Sequence, residues 1–181
     1  LDAALSTSSA PTYFDPYSGD MYKDIKGNVL QFKNKVDGGV WANNPSLIAL
    51  IEAQKAFGRE LIDINLLSIG TGESIFLEPN KKSKFGIWYW INHKRTRIIE
   101  LFMQGQSQQV ENILSLLKNG IDRQEADNFG YMRLNTLFQT ELQNIKMDET
   151  DINRLKDLES RALEVYNENK VEIFKLMNID I

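Results

Sequence analysis

The chain has no cysteine and a single histidine, His93. Without cysteine there are no disulfides, no thiolate metal sites and no thiol nucleophiles, and a reducing compartment is allowed. With one histidine a multi-histidine metal site within the chain is excluded, and any Ser-His-Asp triad made here depends on His93. That residue stands in Trp90-Ile91-Asn92-His93-Lys94 with no acid beside it, and reads as a surface or interfacial histidine. No apolar run approaches the ~18 residues that span a bilayer. An excess of positive charge is also lacking. The chain has 21 basic and 25 acidic residues, a net charge of −4, which argues against a nucleic-acid partner.

What is present suits one folded domain. The chain has 181 residues, 42% hydrophobic and 25% charged, enough apolar matter for a core and too much for disorder. It opens at Leu1 in a small-residue stretch without an initiating Met, as expected of a cut or processed end.

Residues 15–28 carry Asp15, Pro16, Gly19, Gly27 and Asn28 and read as turns and loops. Val29 to Val36 alternates and predicts a strand that ends at Asp37-Gly38-Gly39. Asn44 then caps a helix with Pro45 at its first position, and Gly58 stops it. Leu61 to Ile69 is nearly all apolar, as a central parallel strand is. Strand, helix and strand over 29–69 predict a βαβ unit and an α/β fold. Apolar residues at helical spacing predict helices over 95–119 and 151–177, with a cap near Asp151. Two strands make too small a sheet, since open sheets usually have about 4–6. Either a further strand lies near 131–135 or strands precede Leu1.

Three segments carry a resemblance. They are Ser6-Thr7-Ser8-Ser9-Ala10-Pro11-Thr12-Tyr13-Phe14, then Asp37-Gly38-Gly39-Val40-Trp41-Ala42-Asn43-Asn44-Pro45, then Leu66-Leu67-Ser68-Ile69-Gly70-Thr71-Gly72. Gln104-Gly105-Gln106-Ser107 and Tyr131-Met132-Arg133-Leu134-Asn135 follow in order. Together they resemble the second half of a patatin-like phospholipase domain. The resemblance implies a three-layer α/β/α sandwich with a mostly parallel sheet and a helical C-terminal region. It also implies ester hydrolysis of phospholipids or other acyl lipids by a Ser-Asp dyad, with no metal or organic cofactor. In that family a glycine-rich oxyanion loop and a Gly-x-Ser-x-Gly elbow precede the Asp-Gly-Gly motif. Neither is here: Gly70, Gly72 and Gly105 are followed four residues on by Ser74, Phe76 and Gln109, and there is no glycine triplet. The chain is therefore expected to be a partial domain that lacks its nucleophile. The missing N-terminal half, or a partner chain, would supply it.

On this resemblance Asp37 is the dyad acid and base. A dyad without histidine needs a carboxylate that takes the serine proton directly. Gly38 and Gly39 are expected to allow an abrupt turn and leave room beside that acid. An isolated Asp-Gly-Gly would be only a turn. Asn43, Asn44 and Pro45 read as a helix start. Gly70-Thr71-Gly72 reads as a tight turn, because a phosphate loop would need a glycine where Ile75 stands. Ser107 lies inside a helical pattern without elbow strain, and is not expected to be a nucleophile.

Along the chain, 1–78 is expected to form the half of the sheet core that bears Asp37, and 98–181 a helical region. Between them, 79–97 joins basic and aromatic residues. Lys81, Lys82, Lys84, Lys94, Arg95 and Arg97 occur there with no acid, interleaved with Phe85, Ile87, Trp88, Tyr89, Trp90 and Ile91. Cations beside Trp and Tyr suit an anionic membrane interface. Lys81, Lys82, Lys84, Trp88 and Trp90 are the candidates for it, on a cytoplasmic protein in peripheral contact with membranes. A solvated rim over buried rings is the plainer account. Two rival functions use the same residues: a non-catalytic scaffold derived from the fold, and a lipid acyltransferase.

Overall fold

The computed structural model describes residues 1–11, 13–74, 86–87, 90, 97–119, 129–138, 145 and 149–179. Lys81, Lys82, Lys84, Trp88 and His93 lie outside the described residues, with most of the basic-aromatic segment.

The architecture is mixed helix and strand around a small parallel sheet. Helix α1 spans Asp2–Thr7. Strands β1 (Met21–Lys23) and β2 (Val29–Gln31) pair antiparallel as a hairpin. Helices α2 (Gly39–Ala42) and α3 (Ser46–Phe57) follow. Strand β3 (Asn65–Ile69) and the short β4 (Glu73–Ser74) come next. Helix α4 (Arg97–Asn119) leads to β5 (Gly130–Leu134) and β6 (Leu137–Phe138), and α5 (Ile152–Leu176) closes the chain.

The parallel unit is not the one predicted over 29–69. β3 pairs in parallel with β5, Asn65 opposite Gly130 and Ile69 opposite Leu134. The βαβ crossover therefore runs through α4, and the strand suspected at 131–135 is real. β2 belongs to an exposed hairpin whose β1 and β2 residues are all solvent-facing. Its alternation reflects two wet faces, with Tyr22 stacked on Phe32 at 5.6 Å between centroids. Asn34 takes a left-handed φ of 49°, and only the Tyr17–Lys35 bridge continues the pairing. The predicted strand thus ends six residues short of Asp37. The run 61–69 is also divided: Leu61–Asp63 is a 3₁₀ turn and the strand begins at Asn65.

Helix ends follow local chemistry. Gly58 stops α3 at φ 58°, where a Cβ would be strained. The start of α3 is shifted by one from the expectation: Pro45 is the cap residue and Ser46 the first helical one, and Asn44, one residue earlier, accepts the Ser46 N–H on its Oδ1 at 3.2 Å. Asp151 caps α5 by accepting from the Asn153 N–H at 2.8 Å.

Successive strand residues face opposite ways. Leu66 and Ser68 of β3 share a face with Tyr131 and Arg133 of β5. The core lies on that face, where Leu50 of α3 and Leu114 of α4 meet Ile64, Phe129 and Tyr131. On the opposite face Gly130 lets α5 approach: a Cβ there would meet Leu176 Cδ1 at 2.8 Å and the Asn65 side chain. Among the described residues no strand pairs with the free edge of β3, and Ile69 is 73% exposed. Among them, too, no helix is long and apolar enough to cross a membrane.

Candidate functional site

Asp37 opens the loop that becomes α2. Its backbone N–H donates to the Ser9 carbonyl at 2.9 Å, which ties it to the segment just past α1. Its Oδ1 accepts from the Gly39 N–H at 2.7 Å. One oxygen is thereby fixed, and Oδ2 makes no hydrogen bond among the described residues. The carboxylate is half-buried on a cleft of about 420 Å³. Thr7 and Asn43 line the cleft with it, and Trp41, Ala42, Pro45 and Ile48 make an apolar wall.

This setting corrects the strand-end expectation: Asp37 sits at the start of a helix. Gly38 has φ −61°, ordinary helical backbone, and Gly39 is not among the residues of positive φ. The abrupt turn therefore needs no glycine freedom. What Gly39 contributes is its N–H and its lack of a Cβ, which would stand 3.2 Å from Asp37 Oδ1.

Helix α4 braces this loop. Gln106 Nε2 donates to the Val40 carbonyl at 3.0 Å. Asn43 Nδ2 and Asn44 Nδ2 reach the carbonyls of Met103 and Ser107, both at 3.4 Å. Behind α4 lies a polar cluster that sequence reading did not find. Arg133, its side chain 9% exposed, donates from Nη1 to Ser68 Oγ at 2.7 Å and from Nη2 to Ser107 Oγ at 3.2 Å. Ser68 and Ser46 share a hydroxyl hydrogen bond of 2.6 Å. Glu111 and Glu73 stand 3.4 and 3.9 Å from the guanidinium. Burial and the Glu111 carboxylate push the Tyr131 phenol above its usual 10.0, so it stays neutral here. The available signal was an arginine amid the apolar residues of Tyr131-Met132-Arg133-Leu134.

Ser107 lies inside α4 as expected and is buried, with its hydroxyl accepting from Arg133 Nη2. Gly70-Thr71-Gly72 is not the tight turn expected. No turn forms there, and the chain runs on from β3 to β4, with the Gly70 N–H donating to the Leu134 carbonyl at 2.8 Å and the Gly72 N–H to Asn135 Oδ1 at 2.9 Å. A Cβ at Gly72 (φ 101°) would run into the Phe138 ring. Among the described residues no three His, Cys, Asp or Glu side chains gather as a metal site. Trp90 is half-buried, and the other interfacial candidates lie outside the described residues.

No protein-family model matches the chain. Curated proteins do. Over 190 aligned residues it is 31% identical to a cGAMP-activated phospholipase of Escherichia coli (strain TW11681), covering 100% of this chain and 49% of that protein. The cGAMP-activated phospholipase of Vibrio cholerae is 30% identical over 97% of this chain and 50% of its own length. Patatin-like protein 2 of Arabidopsis thaliana is 36% identical over 133 residues, 63% of this chain and 31% of that protein. The chain thus spans about half the length of the bacterial relatives and about a third of the plant one. With the Asp-Gly-Gly loop in place on a parallel α/β core, these likenesses mean that the chain belongs to the patatin-like phospholipase family.

Proposed function

We propose that residues 1–181 are the acid-bearing part of one patatin-like domain that hydrolyses the ester bonds of phospholipids or related acyl lipids. The observation that carries this is the Asp37 carboxylate, held by the Gly39 N–H through Oδ1 and open at Oδ2 beside an apolar cleft. The nucleophile is a serine outside this sequence. As its Oγ attacks the ester carbonyl, Asp37 takes the hydroxyl proton. It returns that proton to the departing alcohol as the tetrahedral adduct collapses to an acyl-serine. Water then attacks the acyl-serine, Asp37 takes the water proton, and serine regains it as the fatty acid leaves. Trp41, Pro45 and Ile48 give the acyl chain an apolar wall. The fold supports a three-layer sandwich: α3 and α4 pack on one face of the β3–β5 pair, and α5 on the other.

The 181-residue chain by itself is expected to hydrolyse no ester lipid. A serine-directed fluorophosphonate should leave it unlabelled while labelling the intact enzyme once. Labelling of the short chain at Ser107 would refute this assignment.

The same proposal has the enzyme work in the cytoplasm at an anionic membrane surface, steered by residues 79–97 with six cations and no acid between 81 and 97. Replacing Lys81, Lys82 and Lys84 with Gln should weaken binding to anionic vesicles, each cation near such a surface contributing about 1 kcal/mol. Salt should weaken it too, as the Debye length falls from ~10 Å at 0.1 M to ~3 Å at 1 M. Hydrolysis of a soluble short-chain ester should not change. Trp88→Ala and Trp90→Ala reduce vesicle binding further if the rings insert. Equal binding of the Lys variants would leave only the solvated rim.

A further inference from the structure

The two walls that hold the Asp37 loop converge on one buried guanidinium. Residues 37–44 run from Asp37 to the start of α3, and their open side rests on α4. At one end, Ser46 of α3 is fixed to Ser68 of β3, and Ser68 accepts from Arg133 Nη1. On the other side, Ser107 of α4 accepts from Arg133 Nη2, and Glu111 one turn on stands 3.4 Å from Nε. The same turn of α4 reaches the loop directly, through Gln106 to the Val40 carbonyl and through Asn44 to the Ser107 carbonyl. Val40 in turn donates its N–H to the Asp37 carbonyl at 3.2 Å. Two hydrogen bonds therefore separate the Gln106 amide from the backbone of Asp37.

Burying an arginine is costly, and apolar residues of similar volume are often as stable or more so. A guanidinium is, however, a rigid planar donor that fixes several acceptors at once. Here it sets α3, β3, α4 and β5 in one geometry. We propose that Arg133 and Gln106 are positioning residues for the Asp37 carboxylate: Arg133 locks α4 against the sheet, and Gln106 transmits that placement to the loop. This rests on Asp37 being the dyad base. A general base must lie within about 2.6–3.2 Å of the atom whose proton it takes, and a 1 Å misplacement can cost about 10²-fold.

The test uses the intact enzyme and a soluble fluorogenic short-chain ester. Arg133→Lys keeps the charge but replaces the planar fork, whose two nitrogens serve Ser68 and Ser107 separately, with a single nitrogen. Gln106→Ala leaves the buried cluster whole and cuts only the tie to Val40, so it keeps the test decisive should Arg133→Lys fail to fold. Gln106→Ala is expected to lower kcat about tenfold or more, with KM within about twofold, since ground-state binding is untouched. In an Asp37→Asn background the Gln106→Ala effect should vanish, because the group it positions is gone. An undiminished effect in that background would mean a merely structural role and overturn the proposal. Gln106→Ala at the wild-type rate beside an inactive Asp37→Asn overturns it alone and leaves the dyad intact. A fully active Asp37→Asn enzyme removes the dyad assignment and the positioning role together.

Discussion

Asp37→Asn in the intact enzyme is expected to lower kcat on a soluble ester by about 10²–10⁴-fold, the usual cost of losing general-base help. The substitution keeps the shape of the side chain and its acceptor oxygen. The Gly39 N–H can still be satisfied, because an amide oxygen accepts as Oδ1 does now at 2.7 Å. The fold around the loop should therefore hold, and a thermal melt should show only a small change. What is lost is a basic oxygen where Oδ2 stands, on the cleft shared with Thr7 and Trp41. The decisive measurement is kcat and KM together: a fall in kcat at constant KM marks a group that acts in the transition state. An Asn variant with wild-type kcat would take Asp37 out of the mechanism. Gly39→Ala should be milder, because its Cβ would press on Asp37 Oδ1 from 3.2 Å and the carboxylate can move by a few tenths of an ångström.

The largest stability effect is expected at Phe129. Its side chain is 1% exposed, stacked at 5.9 Å on Tyr131 and part of the cluster with Leu50, Ile64 and Leu114. Phe→Ala in a core costs about 3–5 kcal/mol, transfer and cavity together. Whole domains have only about 5–15 kcal/mol. The cluster is small, so few neighbours can relax into the void. Phe129→Ala should therefore shift the urea midpoint of the chain far down, or leave it unfolded without denaturant. Leu114→Ala, at a residue 0% exposed, should follow at about 2–5 kcal/mol. Lys156→Ala, on the exposed side of α5, should stay within about 0.5 kcal/mol. A Phe129→Ala midpoint equal to that of Lys156→Ala would mean that the core is not where these contacts put it.

The sequence by itself determined what depends on neighbours in the chain. Helical periodicity located α4 and α5 to within a few residues, because a helix closes its hydrogen bonds four residues away. Gly58 and Asp151 ended and began helices through their own backbone and side chain. The Asp-Gly-Gly and Gly-Thr-Gly motifs were legible as breaks between elements, though the first opens a helix and the second makes no turn, and the ordered motifs pointed to the right family. The tertiary structure alone decided what joins distant residues. β3 chose β5, more than sixty residues on, over the nearer Val29–Val36 segment, which alternates but has no buried face. Asp37 stands at a helix start because its N–H found Ser9 and its Oδ1 found Gly39. Arg133 looked like one charge in a short apolar run. Its meaning came only when strand pairing set Ser68 beside it and helix packing brought Ser107 and Glu111 onto the same face. Such convergence leaves no period in the sequence, since each partner arrives on a different element and only their packing fixes the distance between them.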